Sequence, residues 1–220
     1  LAESASYTNA KASGERATTM LLFTRYPRET LIIMGLTAAG SLGFYAYTTY
    51  MLKFLVNTAG FARETAGAIN FATLAGFMLA QPLFGWLSDR VGRKPMLLLA
   101  FGGGALAAWP VFSVVGTAPG MALAFGLIMG ALLVQSAYTS ISAVVKAELF
   151  PAHCRALGVA LPYAIANALF GGTAEYVALW FKDQGMESGF YLYVSAVLSV
   201  AFLISLFMRD TGRHSLIRED

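Results

Sequence analysis

The sequence predicts an all-α membrane protein of six transmembrane helices. Three observations carry that prediction. Of 220 residues, 57% are hydrophobic and only 12% charged, against about 25% charged in soluble domains, and the mean hydropathy is +0.63. Six stretches reach the ~20 apolar residues that a bilayer crossing needs: 30–52, 66–87, 95–115, 120–145, 157–181 and 189–208. Of the 12 acidic and 15 basic residues, only Glu175 falls inside them. Backbone polar groups in lipid must be satisfied within their own segment, so these spans are helices.

Taken in order, residues 1–28 form a polar arm that reads as a flexible cytoplasmic linker. The arm opens on Leu1 rather than Met, so a preceding segment is expected; a complete six-helix protein with a polar arm is the alternative. The first span places Tyr45, Thr49 and Lys53 at intervals of four. The second carries Asn70, Thr73, Phe77 and Gln81 at 3, 4 and 4. The fourth carries Gln135, Thr139, Ser142 and Lys146, and the fifth Tyr163, Asn167, Gly171 and Glu175. At 100° per residue each set stays on one helix face. The third and sixth spans offer little beyond scattered serines and two tyrosines. Spans one, two, four and five are therefore expected to line a polar path, with three and six as outer support. Hydrogen-bonded helix packing is the alternative for any single Ser or Thr. Gln135, Asn167 and Glu175 are the strongest path candidates. Residues 209–220 form a short cytoplasmic tail.

Depth follows from a rise of about 1.5 Å per residue. Asn167 then lies about 15 Å from the cytoplasmic end of its span and Glu175 about 27 Å along it. Lys53 falls at the outer interface and Lys146 at the cytoplasmic mouth, so no cation is expected at mid-depth. Tyr45, Tyr47, Tyr50, Trp180, Phe181, Tyr191 and Tyr193 gather at the outer end as an aromatic belt. Pro82 and Pro110 are expected to kink their helices. An acid in the membrane interior is costly and usually functional or paired. Glu175 is either a proton carrier, an ion-pair partner of Lys53 at an outer gate, or structural.

Orientation is read from the Lys and Arg residues. With six crossings, 12 of the 15 lie on one side: Lys11, Arg16, Arg25, Arg28, Arg90, Arg93, Lys94, Lys146, Arg155, Arg209, Arg213 and Arg218. Only Lys53, Arg63 and Lys182 lie on the other. Both termini are therefore expected in the cytoplasm. The net charge of +3 is topology information, with no stripe that would bind nucleic acid. Both histidines, His153 and His214, lie in polar segments and no Asp lies in a span, which argues against an intramembrane protease or metal carrier. Gly102–Gly104 lacks the following Lys-Ser/Thr of a phosphate loop. No metal or other cofactor is expected. A six-helix channel or scaffold remains open on these grounds.

Two connectors carry motifs. "GWLSDRVGRK", residues 85–94, joins the second and third spans. Gly85 would let helices approach closely, and Asp89 would face the positive end of a neighbouring helix. Gly92 suits a tight turn, and Arg90, Arg93 and Lys94 suit an anionic membrane surface. "KAELFPAHCRALG", residues 146–158, joins the fourth and fifth spans and carries Glu148, Pro151 and Arg155. The first stretch resembles the signature loop of the major facilitator superfamily, and the second its Glu-x-x-Pro-x-x-x-Arg connector. "GFYAYTTYMLKFLVNTAGF", the run from Tyr138 to Trp180 and "GMESGFYLYV" are similar to the metabolite:proton symporter branch. The resemblance covers roughly residues 30–208. It implies one half, the C-terminal six helices, of a twelve-helix transporter, built as two inverted three-helix repeats, 30–115 and 120–208. It implies alternating access in a bacterial inner membrane, with a small organic (di)carboxylate such as 2-oxoglutarate carried together with a proton. Citrate, shikimate and proline or betaine are the alternative substrates in this branch. It further implies an N-terminal six-helix partner half holding the main anion-binding residues, and a latching role for Glu148 and Arg155.

Overall fold

The computed structural model describes residues 19–118, 120–212 and 216. Most of the polar arm and most of the tail, including Lys11, Arg16, Arg213, His214 and Arg218, lie outside the described residues. Those described are helical, with no strand among them. Six helices are long and apolar enough to cross a membrane: Pro27–Asn57, Arg63–Val91, Arg93–Gly116, Met121–Glu148, Arg155–Asp183 and Glu187–Phe207. They overlap the six expected spans and run past them at all ends but the start of the fourth and the end of the sixth. Polar residues there stabilise the helix termini. Pro27 sits at the start of the first span, where it loses no intrahelical bond. Glu64 and Glu187 occupy first turns and Arg90 a last turn, each favoured by the helix dipole.

The arm is not a linker throughout. Thr19–Arg25 is a helix, and its Leu22 is fully buried against Ile33, Phe150 and Cys154. Thr30 Oγ1 donates to the Tyr26 carbonyl at 2.8 Å, fixing the turn between this helix and the first span. Leu21, Leu22 and Phe23 supply the apolar side chains that a composition average over 28 residues conceals.

The spans are also less regular than an apolar run implies. Wider π-helical turns occupy Ala46–Tyr50, Leu99–Gly103 and Asn167–Gly171. The fourth span is broken at Ser140 and Ile141, and the fifth at Gly172 and Thr173. Pro82 and Pro110, by contrast, sit inside continuous helices.

The first span is central, with 67% of its most apolar window buried. The sixth packs on the third and the first, the second on the fourth, and the fifth on the first. Around the C-terminal part of the first span the core is aromatic. Phe112 stacks on Tyr47 at 5.3 Å and on Tyr191 at 5.2 Å, with Tyr50, Phe54 and Phe190 around it. Tyr47, Tyr50 and Tyr191 are therefore core residues rather than a membrane-facing belt; Trp180 stays exposed. Their rings face neighbouring spans, a direction that a residue's depth along its own helix does not give.

Candidate functional site

A polar cavity of about 190 Å³ opens between the first, fourth and fifth spans. The first span contributes Gly40, Ser41, Phe44 and Tyr45. The fourth adds Tyr138, Thr139, Ser142 and Lys146, and the fifth Tyr163 and Asn167. Two glycines make the site possible. A Cβ on Gly40 would lie 1.9 Å from Tyr138 Cε1, and one on Gly171 would lie 2.8 Å from the Tyr45 ring. The π turn Asn167–Gly171 holds Asn167 at the cavity wall, a common placement for such turns at functional positions.

Lys146, expected at the mouth of the path, is buried at the cavity wall. Its residue is only 4% exposed. Its Nζ lies 4.5 Å from the Tyr163 ring centroid and 5.6 Å from that of Tyr138, both within cation–π range. Among the described residues no carboxylate reaches it within ion-pair distance.

Of the expected path residues, the structure brings Tyr45, Thr139, Tyr163 and Asn167 to this cavity. It does not bring Asn70, Gln81 or Gln135. Gln135 is 3% exposed and donates from Nε2 to the Gly40 carbonyl at 2.9 Å. Gln81 accepts from Thr139 Oγ1 at 2.9 Å and donates to Ser136 Oγ at 3.2 Å. Thr73 is buried and bonds back to its own helix. The second span is packed against the fourth, and of this stripe Gln81 is the residue whose side chain bonds across to it. Thr49 is exposed and outside the lining. It sits in the π turn Ala46–Tyr50, whose extra width breaks the four-residue stripe.

Toward the C-terminal ends of the first and fifth spans, Lys53 donates to Glu175 Oε1. Glu175 lies in the first turn of the helical segment Ala174–Asp183, a position that favours an acid. A second cluster, which the spacing of charges did not reveal, lies beside it. Lys182 Nζ donates to Thr58 Oγ1 at 2.7 Å, and Thr58 donates to Glu187 Oε1 at 2.6 Å. It ties the first, fifth and sixth spans.

The two connector motifs meet each other. Gly92 adopts φ 98°, the left-handed region that its turn requires. Arg93 pairs with Asp89 at 2.6 Å and approaches Glu148 Oε1 at 3.8 Å. Lys94 Nζ donates to the Leu206 carbonyl at 2.7 Å, at the end of the sixth span. Arg93 and Lys94 thus make contacts inside the protein. Asp89, 67% exposed in its side chain, pairs within its own loop and caps no helix among the described residues. A Cβ on Gly85 would meet open space, so no close approach uses it here. Arg90 lies over the Trp86 ring at 3.9 Å. Arg155 does not meet Glu148. Its Nε donates to the carbonyls of Ala147 and Phe150, both at 3.1 Å, closing the end of the fourth span.

Six long apolar helices, a small polar cavity between them, and charged ties at both ends define a membrane transport domain. The chain belongs to the sugar (and other) transporter family of the major facilitator superfamily, whose model matches residues 1–211. It is 51% identical to the alpha-ketoglutarate permease of Escherichia coli K12 over 189 residues, which are 86% of this chain and 44% of that protein. It is 29% identical to the glycine betaine/proline/ectoine/pipecolic acid transporter of Dickeya dadantii, over 88% of this chain and 38% of that protein. It is 21% identical to the citrate-proton symporter of Klebsiella pneumoniae, over 80% and 40%. The chain spans less than half the length of these curated relatives.

Proposed function

We propose that this chain is the C-terminal six-helix half of a secondary transporter that carries 2-oxoglutarate, or a closely similar dicarboxylate, together with protons across a bacterial inner membrane. The observation that carries the reading is the 51% identity to a permease named for alpha-ketoglutarate, against 21–30% for the relatives named for other solutes. A cavity lined by one cation and no acid supports an anionic substrate. The family works by alternating access between two halves, and the 44% coverage of the permease supports a further six-helix half as the working partner. In this cycle the Lys53–Glu175 pair closes the outer end. The Arg93–Glu148 contact holds the cytoplasmic end. Both termini lie in the cytoplasm, supported by the one-sided distribution of Lys and Arg.

The test is uptake by the whole transporter in proteoliposomes. Labelled 2-oxoglutarate should accumulate when the outside is acidified. An excess of unlabelled 2-oxoglutarate should compete at least tenfold better than citrate, shikimate, proline or betaine. Accumulation of one of those four in its place would reassign the substrate. Uptake insensitive to the pH gradient would remove the proton from the mechanism.

A further inference from the structure

The cavity contains a charge whose own partner has not been assigned. Lys146 is buried, and burying a charge without a counter-ion is costly unless something compensates it. Here the compensation comes from two tyrosine faces, Tyr163 and Tyr138. A cation–π contact returns less than a desolvated charge loses when one partner of a buried pair is missing. The remaining deficit is what an anion would remove. The lining of Ser41, Tyr45, Thr139, Ser142, Tyr163 and Asn167 is neutral and rich in hydrogen-bonding groups. At about 190 Å³ the cavity is smaller than the ~300–1,000 Å³ of ordinary small-molecule sites, so it takes one end of a ligand.

We infer that Lys146 is the residue by which this half of the protein holds one carboxylate of the substrate, and that Tyr138 and Tyr163 hold its charge while the site is empty. Substrate displaces the rings as the nearest partners of the ammonium. Specificity then follows from the charge count: a ligand without a carboxylate at this end leaves Lys146 on its aromatic faces and gains nothing. The identity of the ligand rests on the reading proposed above. The role of Lys146 requires only that the ligand carry a carboxylate.

The experiment uses the whole transporter in proteoliposomes, with variants Lys146→Met and Lys146→Arg. Counterflow is measured with labelled 2-oxoglutarate. Two monocarboxylates that each lack one end, 2-oxopentanoate and 4-oxopentanoate, serve as competitors. Lys146→Met should raise KM about 10–100-fold, the cost of a lost charge-assisted hydrogen bond, with little change in maximal exchange. Lys146→Arg should recover most of that loss. In wild type both monocarboxylates should compete poorly. In Lys146→Met, 2-oxoglutarate and the one lacking the carboxylate that Lys146 held should become nearly equal. A KM within twofold of wild type overturns the inference. So does an unchanged preference for dicarboxylate over both monocarboxylates, which would mark a structural lysine. If wild type ignores 2-oxoglutarate, the substrate reading fails. The role of Lys146 is then read from whichever of citrate, shikimate or proline is exchanged, each of which carries a carboxylate. A tenfold loss in Lys146→Met sustains the inference, no loss overturns it, and exchange of no carboxylate at all overturns both.

Discussion

The Lys53–Glu175 pair gives the sharpest test of the proposed outer gate. Its side chains are 49% and 32% exposed. Pairs of that exposure contribute roughly 0.2–1 kcal/mol. A bias of that size changes the closed-to-open ratio by about 1.4- to 5-fold, since each 1.4 kcal/mol is a factor of ten. Glu175→Gln should therefore leave both exchange and pH-driven accumulation in place, with rates altered by no more than about fivefold. The exchanged pair, Glu175→Lys with Lys53→Glu, should recover part of the change. Full recovery is not expected, because position 175 lies in the first turn of Ala174–Asp183, where a cation meets the positive helix end at a cost of about 0.3–1 kcal/mol. The assay is proteoliposome uptake with and without an inward proton gradient, beside substrate counterflow in the same vesicles. Loss of gradient-driven accumulation with counterflow intact would refute this reasoning and make Glu175 the proton carrier. An exchanged pair no better than either single variant would refute the gate.

Three further predictions concern the frame. Gly40→Ala should destabilise by about 1–3 kcal/mol through overpacking against Tyr138, with partial rescue by Tyr138→Leu; an unchanged thermal midpoint in detergent would contradict the close approach. Arg93→Ala should lower that midpoint more than Asp89→Asn, because it leaves the buried Glu148 without its cation, whereas Asp89 is largely exposed; the reverse order would place the cytoplasmic tie elsewhere. Cys154, buried beside Leu22, should react slowly with a membrane-impermeant thiol reagent, only from the cytoplasmic face, and faster in Leu22→Ala; labelling of intact spheroplasts from outside would overturn the orientation.

The six spans were legible because lipid imposes a strong rule: charges leave the apolar runs and the backbone closes on itself. The breaks within them were not. Residues 167–171, Asn-Ala-Leu-Phe-Gly, form a π turn, yet they read as ordinary helix. A π turn differs by one backbone hydrogen-bond register, not by composition. Polar stripes told which helix faces matter without telling why. Gln135 and Gln81 recur on helical spacing as path residues would, but the fourth span lies between the first and the second, so that spacing also aims them at a neighbouring helix. Only long-range packing distinguishes the two uses. The charged motifs fared similarly. Glu148 and Arg155 share a connector, yet Glu148 meets Arg93 of the other loop. Sequence proximity along a turn does not fix which loop end lies alongside.

Lys146 shows where a depth estimate needs a direction. Counting 1.5 Å per residue along the fourth span places its Cα near the cytoplasmic end, and that reading stops at the backbone. In an α-helix, however, Cα–Cβ bonds tilt toward the N-terminus, and long side chains follow them back over the preceding turn. In the proposed orientation the fourth span runs from outside to inside, so a side chain near its end points back into the membrane. The last helical segment, Ser142–Glu148, follows the break at Ser140 and Ile141, and its lysine reaches the rings of Tyr138 and Tyr163. A lysine can equally carry its charge outward to water along its stem. What decides here is the neighbourhood: the inward direction offers two aromatic faces and a polar cavity. A basic residue one or two turns from the cytoplasmic end of an inward-running helix is therefore a candidate for the cavity as much as for the membrane surface.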